Sequence, residues 1–361
     1  MQLPEHGANP RYVYTRLGME PPGRILDFSE NCNPEGPPQA VLDSWPELAT
    51  HLQNYPDPSG EPFLSRVATY HGGSDEAVLV GNGAAEVLSL IAERYRGKRA
   101  IVVHPTFSEY EATLVAKGVE IERIIASEAD GFALPVGLIE EKLMEASVLY
   151  ICTPNNPTGV LPTEMELLSL IVKAGEIGCE VVLDEAFIDF VDESRSFIPK
   201  VKDFPHCLVV RSMTKMYAIP GIRLGYVVAT PDVITSLKSG APHWNVNGVA
   251  AKIGAVCLNE VEYRERAVRH AAERRADMAS FLVNYGCVVT DSSANFLSFR
   301  LRDGLDSREL YADMLARGIV LRHSENFVGM DGRWLRIGMK SVLELDELKR
   351  ELADWFSGRN S

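Results

Sequence analysis

The residues best suited to chemistry gather in 209–226, VVRSMTKMYAIPGIRLGY, where Lys215 has Ser212 three residues before it and Arg223 eight residues after it. An amine that serves as both nucleophile and proton carrier works best on a loop held between rigid elements, with hydroxyl and guanidinium groups nearby to hold an anion. A lysine alone is usually a solvated surface group, so its company decides. Asp184, in VVLDEAF, follows an apolar run. Such a carboxylate either caps a turn or pairs with the protonated ring nitrogen of a heteroaromatic electron sink. Asn156, in TPNNPTG, sits between Pro154 and Pro157, where its amide can donate to a ring oxygen. Phe107 and Tyr110 can stack on a planar ring or simply pack in a core. GNGAAE, residues 81–86, puts the amides of Ala84 and Ala85 at the opening of a helix, as a phosphate cradle or a tight turn. Glu86 stands where a dinucleotide fingerprint has its third glycine. Jointly these groups specify a flat, phosphorylated, cationic heterocycle bound covalently by a lysine.

The elements that must position them follow from patterning. From residue 77 onward, short apolar runs alternate with amphipathic segments, the pattern of βα units and a largely parallel sheet, whose ligands collect beyond the carboxyl ends of the strands. Strands are expected at 100–103 and 148–152, in CEVVLDEAF, and on both sides of the lysine loop, and each chemical motif lies at a strand end. With 361 residues, 46% of them hydrophobic, the chain can fill two cores. We expect an arm at 1–45 packed on a small domain, a large domain at 46–245, and a small α/β domain at 246–361 that opens on a long helical stretch.

A net charge of −14 argues against nucleic acid or an anionic membrane as partner. An anionic substrate must then be held by a local arginine cluster, and Arg336 in WLRIGMK and Arg322 in VLRHSENF are the candidates. A guanidinium suits a carboxylate or a phosphate equally. The six cysteines form no CxxC pair and no metal-ligand spacing, so no metal is expected. No Walker sequence and no HExxH occurs. The first thirty residues lack a basic start followed by an apolar run, and no window approaches the roughly 20 apolar residues of a membrane span, so neither a signal peptide nor a span is expected; the scattered cysteines read as the reduced, mostly buried thiols of a cytoplasmic protein.

NPTG, LDEAF, S-x-x-K and the arginine eight residues beyond the lysine occur in an order and spacing that resemble the fold-type I pyridoxal phosphate enzymes, the aspartate aminotransferase superfamily. The resemblance covers essentially the whole chain. It implies a large domain with a mostly parallel seven-stranded sheet between helices, plus a small α/β domain, and pyridoxal 5'-phosphate as cofactor. It makes Lys215 the Schiff-base lysine, Asp184 the ring-nitrogen partner, Asn156 the ligand of the ring hydroxyl and Phe107 the stacking residue. Ser212, Thr214, Arg223 and the amides of Ala84 and Ala85 would hold the phosphate. Tyr55 matches a tyrosine contributed across a homodimer interface, and Arg336 matches the arginine that grips a substrate carboxylate.

Two branches of this superfamily act on phosphorylated amino compounds, the histidinol-phosphate aminotransferases and the L-threonine-O-3-phosphate decarboxylases of cobalamin biosynthesis. Three features resemble the second. HGANP, residues 6–10, looks like its HGGN start, with Ala8 in place of a glycine. LDFSENCNPEGPP resembles its DFSxNxNPxGxP signature, and Phe187 occupies the position where transaminases place a tyrosine on the ring oxygen. The resemblance thus implies a small phosphorylated amino acid substrate, with His6, Asn31, Arg322 and Arg336 as candidates for its anionic groups. A cofactor-sensing regulator would need a basic DNA-binding extension for which the chain has no room. A dinucleotide-binding dehydrogenase is the remaining rival.

Overall fold

The protein is described here from a computed structural model over residues 7–359. After a short strand β1 (Leu26–Asp27), the chain builds seven strands: β2 (Val78–Gly81), β3 (Arg99–His104), β4 (Glu120–Ile125), β5 (Val148–Cys152), β6 (Glu180–Asp184), β7 (Cys207–Ser212) and β8 (Gly225–Val228). They form one sheet in the order β2-β8-β7-β6-β5-β3-β4, parallel except for β8. The middle strands VLYIC, EVVLD and CLVVRS are apolar almost throughout because helices cover both faces. β4, at one edge, carries Glu120 and Glu122 and is partly exposed. Since β8 runs against its neighbours, the start of β8 lies at the same sheet edge as the ends of the others, and that brings Arg223 beside Lys215.

The second sheet, β12-β13-β10-β9, joins β9 (Val288–Val289), β10 (Phe296–Arg300), β12 (Arg322–His323) and β13 (Trp334–Gly338), while β11 (Ile319–Val320) pairs with β1. Its core includes Val13, Tyr14 and Phe28 from the start of the chain beside Leu310, Trp355 and Phe356. The Tyr14 hydroxyl donates to the Leu315 carbonyl at 2.7 Å. The closing helix Val342–Ser357 begins on a Ser341/Glu344 capping box, which satisfies two amide donors at its opening.

The domain expectations need correction at two places. Residues 246–258 pack on the large core, where Val246, Ala250, Ile253 and Cys257 are buried. At Gly254 a Cβ would come within 2.3 Å of Leu224 and 2.6 Å of Phe63, so this helix docks by close backbone approach. The helical stretch is also two helices, Gly248–Cys257 and Val261–Asn284. The second joins the domains, with Ala267 and Ala271 in the large core and Met278 and Leu282 in the small one. Likewise Val41, on helix Gln39–Leu48, belongs to the large core rather than to an arm ending at 45. Among the described residues, no helix is long and apolar enough to cross a membrane.

Candidate active site

A cavity of about 240 Å³ opens where the carboxyl edge of the large sheet meets the small domain. Ala84, Ala85, Phe107, Asn156, Asp184, Ser212, Thr214, Lys215 and Arg223 line it from the large domain, and Asn31, Arg322 and Arg336 from the other side. Tyr55 is not in its own chain's cavity. It is 84% exposed, with its ring 5.1 Å from that of Trp244. His6 lies outside the described residues.

Each group in the floor hangs from a strand end. Asp184 closes β6 and is buried. Its Oδ2 accepts from the Tyr110 hydroxyl at 2.6 Å and its Oδ1 from the Ala186 amide at 3.0 Å. Burial pushes this carboxyl above its usual range, and these two donors, with the charge of Lys215, pull it back. The Lys215 loop is tied down from the start of the chain. The Asn33 amide donates to the Lys215 carbonyl at 2.9 Å, and Asn33 Nδ2 to the Met216 carbonyl at 3.2 Å. Lys215 Nζ has no hydrogen-bond partner among the described residues.

The anion cradle lies between β2 and β8. The helix Ala84–Glu93 opens after Gly83, at φ 81°, and its first amides face the cavity side. A Cβ on Gly83 would come within 2.7 Å of Arg223 Nη2, and one on Gly225 within 2.6 Å of the Ala84 nitrogen, so glycine at both positions lets guanidinium and helix start approach each other. Glu86, in the place of a third glycine, accepts from the Asn82 amide at 2.7 Å and from Asn245 at 2.6 Å, and so fixes this turn. Ser212 and Thr214 share a hydroxyl hydrogen bond of 2.9 Å. Among the described residues Arg223 forms no ion pair, so a free cation, two hydroxyls and a helix start converge where a phosphate fits.

On the facing wall, Arg322 of β12 and Arg336 of β13 are direct cross-strand partners. Like charges so placed repel. Both are buried, and burial pushes Arg322 down to about 10; burial first and then the neighbouring Arg322 push Arg336 down to about 9. An anion between them would relieve both penalties. Arg336 Nη1 donates to Asn156 Oδ1 at 2.5 Å and Nη2 to the Ser29 carbonyl at 2.7 Å. That contact fixes the Asn156 amide, leaving Nδ2 as the donor for a ligand. Asn31, oriented by its neighbours, accepts from Arg336 at 3.2 Å. Arg322 donates to the His323 carbonyl and to Asn326, with its guanidinium 4.9 Å from the Phe327 ring.

Residues 24–353 match the family of class I and II aminotransferases. The chain belongs to this family. Within this aminotransferase family it is similar to the threonine-phosphate decarboxylase of Salmonella typhimurium, 34% identical over 356 residues that cover 98% of this chain and 97% of the relative. It superimposes on the crystal structure of a histidinol-phosphate aminotransferase from Clostridium acetobutylicum with a TM-score of 0.88 and 28% identity, covering 92% of this chain and all of that one. A histidinol-phosphate aminotransferase from Sinorhizobium meliloti, crystallised in complex with pyridoxal-5'-phosphate, shares the aminotransferase fold at a TM-score of 0.86 and 20% identity, over 99% of this chain and 96% of that one.

Two contributors to the site were not legible as such in the sequence. Tyr110 reads there as a ring-stacking or core aromatic, yet it is the partner of Asp184. Ser29 reads as one letter of a signature, yet its carbonyl holds Arg336 while its hydroxyl accepts from the Ala8 amide at 3.0 Å.

Proposed function

We propose that the protein decarboxylates L-threonine O-3-phosphate to (R)-1-amino-2-propanol O-2-phosphate and CO2, with pyridoxal 5'-phosphate as cofactor, in cobalamin biosynthesis. The observation that carries this reading is the identity to the Salmonella decarboxylase along nearly the full length of both chains. The buried, cross-strand arginine pair and Phe187, where an aminotransferase would need a phenol, agree with it.

Pyridoxal phosphate, when bound, supplies a sink for the electron pair that the departing carboxylate leaves on Cα. Lys215 would hold it covalently and act as the proton carrier for Cα. Asp184 would pair with the ring nitrogen, Asn156 Nδ2 would donate to the ring oxygen, and Phe107 would stack on the ring. Ser212, Thr214, Arg223 and the amides of Ala84 and Ala85 hold its phosphate. Arg322 and Arg336, with Asn31 and His6, hold the substrate's anionic groups. Where these arginines take the phosphate, the carboxylate is left ungripped and free to leave.

The active form is a homodimer in the cytoplasm, with exposed Tyr55 reaching the neighbouring subunit's cofactor phosphate; the six unpaired, buried cysteines fit a reducing compartment. The test is CO2 release from threonine phosphate, run beside a histidinol phosphate plus 2-oxoglutarate assay. Release in the first assay is expected. Turnover only in the second would replace this reading with an aminotransferase.

A further inference from the structure

We infer that Tyr110 is a positioning residue for the reaction, holding the Asp184 carboxylate in the orientation and ionised form that the cofactor ring nitrogen requires. The inference rests on the cofactor site proposed above.

Tyr110 lies on the helix Glu109–Ala116, which follows β3 at the cavity edge. Its ring stands at 87° to that of Phe107, with centroids 5.8 Å apart. Two rings at right angles cannot both lie flat on one ligand, so if Phe107 is the stacking face, Tyr110 meets the ligand edge-on. Its side chain is 1% exposed, and a hydroxyl so buried needs a partner. The partner is Asp184 Oδ2 at 2.6 Å, a charge-assisted bond. The Ala186 amide takes Oδ1. Each carboxylate oxygen thus has one protein donor, and the remaining lone pairs are left for a cationic ring N–H.

The chemistry has a definite direction. A phenol that donates to Asp184 makes it a weaker base, so the shared proton stays on the ring nitrogen and the ring remains positive. Without the phenol, the more basic carboxylate draws that proton to itself and the ring pulls electrons less. The other groups facing Asp184 leave this role to Tyr110. Lys215, on the β7–β8 loop, approaches as a charge, and the Cys152 thiol of β5 is pushed up to about 12 by burial and by Asp184 itself, so it stays neutral. The same causes keep the Tyr110 hydroxyl protonated.

The experiment compares wild-type holoenzyme with Tyr110→Phe, which removes one oxygen and keeps the ring. The pH midpoint of the visible cofactor band is titrated by absorbance, and kcat and KM for threonine phosphate are measured separately. A less positive ring lets the linked Lys215 nitrogen keep its proton to higher pH. The midpoint is therefore expected to rise by about one pH unit, and kcat to fall about tenfold with KM changed less than about threefold. Incorporating the more acidic 3-fluorotyrosine at position 110 should move the midpoint the opposite way, a result that misfolding cannot imitate. Midpoints that coincide across all three proteins would overturn the role of Tyr110. No visible band in the wild type would overturn the cofactor reading together with it.

Discussion

Lys215, Asp184, Asn156 and Ser212 each lie on or within four residues of a strand of one sheet, whereas the wall that faces them is assembled from distant parts of the chain. Arg336 reaches a carbonyl 307 positions away at Ser29 and an amide 180 positions away at Asn156. The floor's groups each follow the strand that positions them, with Asn33 and Tyr110 reaching in from farther along the chain. The wall depends on the first 30 residues being folded onto the last 60. On the function proposed above, the floor would serve any reaction that begins by linking a cofactor to a lysine, and the wall would decide which bond of the substrate is broken. A chain can change reaction by altering the wall and one or two floor residues while the sheet stays as it is.

The strongest way to break this division is Lys215→Ala. It should lower decarboxylation by on the order of 10⁴-fold, the loss expected when nucleophile and proton carrier disappear together. Borohydride would no longer fix the cofactor to the chain. If the wall works separately, the affinity for threonine phosphate, measured by calorimetry with cofactor present, should change less than about threefold. Loss of that binding too would show floor and wall to be one unit.

Arg336→Met tests the other side. It removes charge-assisted bonds to substrate and releases the Asn156 amide, so kcat/KM should fall roughly 10²-fold or more. Borohydride should still fix one cofactor per chain. An equal loss of cofactor labelling would mean that the wall builds the floor.

These two regions were also unequally legible in the sequence. Lys215, Asp184 and Asn156 are marked by short motifs because the strand that positions each one precedes it directly, and alternating apolar runs are the clearest pattern a sequence carries. Arg322 and Arg336 were visible as residues, but their pairing was not, since it depends on the register of β12 against β13. The Tyr110–Asp184 bond joins positions 74 apart, and only the order of the strands brings them together. The boundary at 245 failed for a related reason. The helix Gly248–Cys257 is apolar on most sides and carries no sign of which core it joins, and the joining is done by Gly254, whose contact is a matter of backbone approach.

Acid should sharpen the comparison by loading both domains alike. His71 packs beneath the large sheet against the Tyr226 hydroxyl at 2.8 Å, and His323 lies in the small domain beside Ser307. Burial pushes the first down to about 3 and the second to about 4. The unfolded chain takes up a proton at each near pH 6.5, and the folded chain does not, so the native state is favoured above that pH and loses ground below it. The loss should be about 1.4 kcal/mol per pH unit per histidine, measured by urea unfolding between pH 6.5 and 5. Burial pushes Glu185 up to about 7, which offsets part of this slope over the same range, so the check is made by comparison: a slope left unchanged by His71→Gln and by His323→Gln would show that neither ring is held neutral.

The smallest expected effect is the most informative about reaction choice. Phe187 lies in the loop after β6, 4% exposed and edge-on to Phe296 at 4.9 Å, so it belongs to the floor by position and to the large core by packing. Phe187→Tyr adds one oxygen on the cavity side and leaves both arginines untouched. If the wall chooses the bond, decarboxylation should fall less than about tenfold, the scale of one hydrogen bond, and transfer of the amino group to 2-oxoglutarate should stay a minor side reaction. If that transfer instead becomes the main reaction, the choice lies in the floor. The absence of a phenol would then be what makes this chain a decarboxylase, and the arginine pair would only hold the substrate in place.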